Sequence, residues 1–161
     1  MNDPEIMVLE YTPVLMGEHW TVTVNRADAR LGVMYERHYS CYKYADGRKR
    51  TQWIAPGQYL ALMTSGLDAL FVWQKQKYRR DGQQGINCAV FRNESPVLSS
   101  ALIIEAVEIG HRRWHGERLF TYVDPRKVKS SNPGCCFIKA GWRRCGESLS
   151  GLIIFDYFAA P

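Results

Sequence analysis

Residues 86–123 read INCAVFRNESPVLSSALIIEAVEIGHRRWHGERLFTYV, and their changing periodicity predicts a strand, a long helix and a second strand. Ile86 to Arg92 is a short apolar and aromatic run that follows a polar stretch ending at Gly85, as a strand in a sheet would. Ser95-Pro96 predicts the helix start, because a serine oxygen can accept from free backbone N–H groups and proline suits the first helical position. From there Leu98, Leu102, Ile103, Ala106, Val107, Ile109 and Gly110 form one broad apolar face that runs to about Trp114. Glu105, Glu108 and Arg112 fall on the other side, with Glu108 and Arg112 four apart. Leu119 to Val123 is the second strand, closed by Asp124-Pro125.

Upstream, Gln58 to Thr64 and Ala69 to Lys75 are two further strand-like runs, and with Ile86 to Arg92 they predict an antiparallel meander. Residues 41 to 57 are polar, with turn signals at Asp46-Gly47 and Pro56-Gly57, and read as a loop. Before it, residues 18 to 25 predict a first strand, and Leu31, Met34, Tyr35 and His38 predict a helix between Arg26 and Tyr39. Downstream, Pro133 opens a short helix that stops at Gly141, and Gly151 to Phe158 supplies a last strand. With no repeat and no linker in 161 residues, the expected architecture is one α+β domain spanning 1–161, a mixed sheet with helices on its faces.

A composition of 46% hydrophobic and 23% charged residues excludes disordered and fibrous classes. No apolar run approaches the ~20 residues that span a bilayer, and Met1 to Glu10 carries acidic residues where a secretory signal is basic, so a cytoplasmic protein without membrane contact is expected. Cys41, Cys88, Cys135, Cys136 and Cys145 are an odd set without paired spacing and predict reduced thiols; His111 and His115 have no cysteine pair nearby to complete a zinc site. The net charge of +5 permits a polyanionic partner. Basic runs at Arg48-Lys49-Arg50 and at Lys77, Arg79 and Arg80, near Tyr44, Trp53 and Tyr78, suit phosphate contacts and base stacking, which makes DNA the expected partner.

Asn132-Pro133-Gly134-Cys135-Cys136-Phe137-Ile138-Lys139-Ala140-Gly141-Trp142 resembles the end of a GNAT-type acyltransferase domain, where an asparagine precedes a short helix and a Lys-x-Gly-aromatic turn. The long helix and the strand ending at Asp124 fall where that family has its cofactor-facing helix and the strand after it. The resemblance covers roughly Gln58 to Trp142 and implies a single GNAT-like domain using an acyl-coenzyme A or related donor, with Arg92, Ser99, Ser100 and Asn132 as the donor-binding residues. The family's pyrophosphate loop is rich in glycine, whereas Arg92 to Ser100 contains none and Pro96 removes an N–H donor.

A second, narrower resemblance is to the phage Mom-type DNA-modification proteins, which are GNAT-like and alter the exocyclic amine of adenine. It rests on the pair His38-Tyr39, on Asp124 after a strand, and on Phe137 ahead of Trp142, with phenylalanine standing where that pattern has tyrosine. It implies His38, Tyr39 and Asp124 as the catalytic residues. Their nitrogen and oxygen donors are also a set that suits iron. Two other functions stay open: a non-catalytic basic module that binds nucleic acid or protein, and an acyltransferase acting on a small amine or a protein terminus.

Overall fold

The computed structural model of the chain describes residues 14–15, 17–23, 27–39, 41, 44–48 and 53–159. Their order is β1 (Val14–Leu15), β2 (Trp20–Thr23), α1 (Ala29–Tyr35), β3 (Gly57–Thr64), β4 (Ala69–Gln76), β5 (Ile86–Asn93), α2 (Ser99–Arg113), β6 (Leu119–Val123), α3 (Cys135–Lys139), β7 (Arg143–Glu147) and β8 (Ile153–Tyr157). The strands form one sheet in the order β1-β2-β3-β4-β5-β6-β8-β7. All neighbours are antiparallel except β5 and β6, which run parallel, so the α+β class and the mixed sheet are as expected. A parallel pair needs a crossover, and α2 is that crossover.

Each face of the sheet has its own apolar layer. On one, Trp20, Leu62, Phe71, Trp73, Ile86 and Leu119 meet Leu102, Ile103 and Ala106 of α2, with Phe137 and Trp142 of the α3 segment. Two indole N–H groups fix α2 in place, Trp20 donating to Leu102 O at 3.0 Å and Trp73 to Ala106 O at 2.9 Å. On the other face, Leu31 and Met34 of α1 pack on Met63, Leu70, Val72 and Val90. α1 thus packs on β3 to β5.

Several boundaries differ from the sequence reading, each for a local reason. α2 begins at Ser99, not at Ser95, with Leu98 as a cap residue that makes no side-chain cap bond. Ser95 is taken by Asn93, whose Oδ1 accepts from the Ser95 N–H at 2.9 Å and from its hydroxyl at 2.6 Å. Leu98 is 75% exposed and does not join the apolar face of the helix. Glu105, expected toward solvent, accepts from the His19 N–H at 2.8 Å and contacts His19 Nδ1 at 2.8 Å, holding the start of β2 to the helix. α1 is shorter than the expected 26–39, and His38 and Tyr39 follow it in a turn. β7 was not foreseen; its residues are largely exposed and polar because it is the sheet's edge. Among the described residues no helix is long and apolar enough to cross a membrane. All five cysteines are free thiols.

Gly134 fixes how α3 meets the sheet: it has φ +80°, and a Cβ there would lie 2.3 Å from the Phe155 ring. Gly82 has a similar φ of +73° with nothing within 4 Å. Gly134→Ala should therefore cost about 3 kcal/mol, left-handed strain plus overpacking, and Gly82→Ala only about 1 kcal/mol of strain. Urea denaturation of the two variants against the parent measures the difference.

Candidate functional site at the parting of the parallel strands

β5 and β6 stay paired for three positions only: Ile86 with Leu119, Asn87 with Phe120, and Cys88 with Thr121. On the other edge of β5, Val90 faces Val72 and Cys88 faces Trp73, so Ala89 is an extra residue, a β-bulge. A bulge bends its strand and increases the local twist. Past it β5 and β6 border a cavity of about 220 Å³ lined by Ala89, Phe91 and Asn93 on one side and Thr121, Tyr122 and Val123 on the other. Ser99 at the start of α2 and Gly134, Cys136 and Phe137 around α3 complete its walls. Thr121 Oγ1 donates to Cys88 O at 2.9 Å where the strands part. Burial raises the Cys88 and Cys136 thiols above their usual range, so both are neutral groups of the wall.

His38 and Tyr39 reach this cleft from the turn after α1, their rings stacked at 4.4 Å between centroids. That turn is bolted to β5. Arg92 Nη1 donates to Arg37 O at 2.8 Å, and Glu94 accepts from Arg37 Nη2 at 2.7 Å and from Arg92 Nη2 at 3.3 Å. Burial, then the nearby Arg92 charge, pushes the His38 imidazole down to about 4, against a weaker opposing effect of its hydrogen bond to the Phe91 backbone. The ring is neutral throughout the ordinary working range. Burial raises the Tyr39 phenol, whose oxygen accepts from the Asp124 N–H at 3.3 Å.

Asp124 closes β6 and joins His38 and Tyr39 around an adjoining cavity of about 210 Å³, which Asn87, Tyr122 and Leu152 also line. The three residues singled out from sequence therefore share one cavity. The Asp124 carboxylate is engaged: Oδ1 accepts from Arg126 Nε at 3.0 Å and Oδ2 from Nη2 at 3.4 Å, and this pairing lowers its pKa. Among the described residues no three His, Cys, Asp or Glu side chains could hold a metal ion. His38, Tyr39 and Asp124 as arranged do not fit an iron site, since Arg126 spans the one carboxylate and Arg92 sets a positive charge near the imidazole.

The expected donor-binding residues are dispersed. Ser99 lines the cleft, its hydroxyl accepting from Asn93 Nδ2 at 3.0 Å. Ser100 stands in the first turn of α2 outside the lining. Arg92 is occupied with Arg37 and Glu94, and Asn132 is exposed in the turn before α3, its carbonyl accepting from Cys135 N at 3.2 Å. The loop does not fit a diphosphate, because Glu94 places a carboxylate beside Arg92 and Pro96 has no N–H. Of the basic residues, Arg48 pairs with Asp46 at 2.7 Å and lies over the Tyr44 ring. Arg79 pairs with Asp81 and lies over Phe120, whereas Lys77 and Arg80 are exposed. Lys49 and Arg50 lie outside the described residues.

The sequence reading missed Asn87, Tyr122 as a wall of the cavity, and the pairing of Arg126 with Asp124. β5 also carries Arg92 and Asn93, and β6 also carries Thr121, so no break in an apolar pattern singles out Asn87 or Tyr122.

A neutral buried imidazole links stability to pH. Above about pH 6.5 neither the folded nor the unfolded state protonates His38; between about 6.5 and 4 the unfolded chain takes up a proton that the folded chain refuses, so stability falls as the pH falls. Stability should drop by about 2 kcal/mol across that window from this group, less than full linkage because the ring is only partly buried. In His38→Gln that part of the slope should vanish. Denaturation midpoints from pH 7 to pH 4 check it, and identical slopes in the two proteins would reject it.

No protein-family model matches this chain and no curated protein matches it.

Proposed function

We propose that the chain is a single GNAT-like domain and a transferase that modifies an amine on a nucleic acid, of the Mom-like kind that acts on adenine in DNA. The observation that carries the reading is the meeting of His38, Tyr39 and Asp124 around a cavity where the parallel strands part. The strand order, with one parallel pair bridged by α2 and an antiparallel tail of β8 and β7, supports the fold named.

The chain's own groups suit amine chemistry. An attacking exocyclic amine must shed a proton as its bond forms; in this proposal the His38 imidazole accepts it once the negative charge that develops on the reacting group offsets the Arg92 charge, which otherwise keeps the ring neutral. Tyr39 keeps its phenol proton at neutral pH, so it can donate a hydrogen bond where negative charge develops. The carboxylate of Asp124 is held by Arg126, and its backbone N–H fixes the Tyr39 oxygen, which makes it the residue that positions the phenol. In this proposal a donor related to acyl-coenzyme A supplies the activated group when bound. The loop of Arg92 to Ser100 does not fit a diphosphate and would not hold that part of the donor. A basic, aromatic approach surface with Lys77, Tyr78 and Arg80 exposed supports DNA as the partner.

Total DNA nucleosides from cells expressing the chain, measured by intact mass, should contain a modified nucleoside that is absent from control cells. His38→Ala and Tyr39→Phe should each abolish it, and Asp124→Asn should lower it at least tenfold, while thermal unfolding stays cooperative. An unchanged nucleoside profile with the parent chain, or full activity in all three variants, would overturn the reading.

A further inference from the structure

Asn87, which lines the cavity beside Asp124, carries a polar atom with no task inside the protein. Asn87 is 7% exposed, and its Oδ1 is buried with no hydrogen-bond partner among the described residues. The polar groups around it have partners of their own, with only the Tyr39 hydroxyl proton left to donate. Tyr39 Oη accepts from Asp124 N, Tyr122 Oη donates to Asp81 Oδ2 at 2.7 Å, Asp124 is bound by Arg126, and His38 bonds the Phe91 backbone. A buried acceptor left unmatched costs about 1–3 kcal/mol, and such a group calls for a donor from outside the chain.

The cavity has the shape for a particular kind of donor. About 150 Å³ is enough to hold benzene, and this cavity measures about 210 Å³. Two of its walls are the aromatic rings of Tyr39 and Tyr122. The first is stacked on His38, and the second is anchored through its hydroxyl to Asp81, so both keep fixed orientations. A planar heterocycle between aromatic walls, with an N–H pointing at an amide oxygen, is how an extruded base is read. Asparagine is also a residue that pairs with an amino group and its neighbouring ring nitrogen on a base edge.

We propose that Asn87 is a specificity-determining residue: its Oδ1 accepts a hydrogen bond from the exocyclic amino group of a nucleobase seated between Tyr39 and Tyr122. This rests on the reading of the cleft as the place where an amine-bearing base is handled. It adds the group that selects for the amine, on the strand opposite Asp124 and beside His38.

The test is a fluorescence-anisotropy titration with single-stranded thymine oligonucleotides that differ at one position. Two carry deoxyadenosine or deoxycytidine there, and two carry the amine-free counterparts, purine and pyrimidin-2-one. The parent chain should bind at least one amino base about tenfold more tightly than its amine-free counterpart, the scale of one buried hydrogen bond. The adenine and cytosine arms show which base is taken. Asn87→Leu, which keeps bulk without an acceptor, should bind all four equally. A parent chain that does not distinguish amine from amine-free bases overturns the proposal without reference to any variant, and so does a preference that survives in Asn87→Leu. Cellular nucleosides keep the two claims separate. An Asn87-dependent preference without a modified nucleoside sinks the transferase reading and leaves the subsite standing; a modified nucleoside with no such preference does the reverse.

Discussion

The extra residue at Ala89 is the constraint on which the site depends. Were β5 regular, its ladder with β4 would keep one residue opposite one and the strand would run on beside β6. Instead two residues oppose one at the Val72/Trp73 step, and the parallel ladder ends after Cys88 and Thr121. Parting two strands in the middle of a sheet leaves backbone groups without ladder partners, and the surrounding side chains supply some of them. The Thr121 hydroxyl takes the Cys88 carbonyl, and the Asn93 amide takes the Val97 carbonyl at 2.7 Å where the loop turns into α2. The result is a wedge between β5 and β6.

Placing His38 and Tyr39 in that wedge is an electrostatic matter as much as a packing one. α1 is only seven residues long, too short to be stable by its own hydrogen bonds, and it depends on Leu31 and Met34 against β3 to β5. Its C-terminal turn is then fixed by Arg92 on the Arg37 carbonyl, with Glu94 between the two guanidinium groups. The same Arg92 charge that holds the turn helps to keep the neighbouring imidazole neutral. One side chain therefore holds the turn that carries His38 and adds to the burial that keeps the ring neutral. This role differs from phosphate binding, which its place before the loop had suggested.

Much of the fold was legible because its signals are periodic. Ala69 to Gln76, Ile86 to Asn93 and the apolar face of α2 each repeat a pattern over seven or more residues, and the meander and crossover follow from them. What escaped has no periodic trace. A single inserted residue at Ala89 leaves the composition of β5 unchanged, and β7 is an edge strand whose Arg143-Arg144-Cys145-Gly146-Glu147 faces solvent. Ser95 carried a cap signal, but Asn93 is two residues away and competes for its hydroxyl and N–H. At the site, resemblance suggested His38, Tyr39 and Asp124. Asn87 was invisible, because an unsatisfied acceptor is a property of three-dimensional surroundings.

The two cavities meet at residues they share, His38, Tyr39, Cys88, Ala89 and Tyr122, and differ on their far sides. Toward α2 and α3 the walls combine Phe91, Val128, Cys136 and Phe137 with the polar Asn93, Ser99 and Thr121. Toward Asp124 they include Asn87 and Asp124, both polar. In the proposed transfer, the activated group and the acceptor would lie on opposite sides of the residues that the two cavities share. His38 and Tyr39 occupy that middle position. They come from a turn outside the two strands that form the cleft, so they can stand across its mouth without interrupting either ladder.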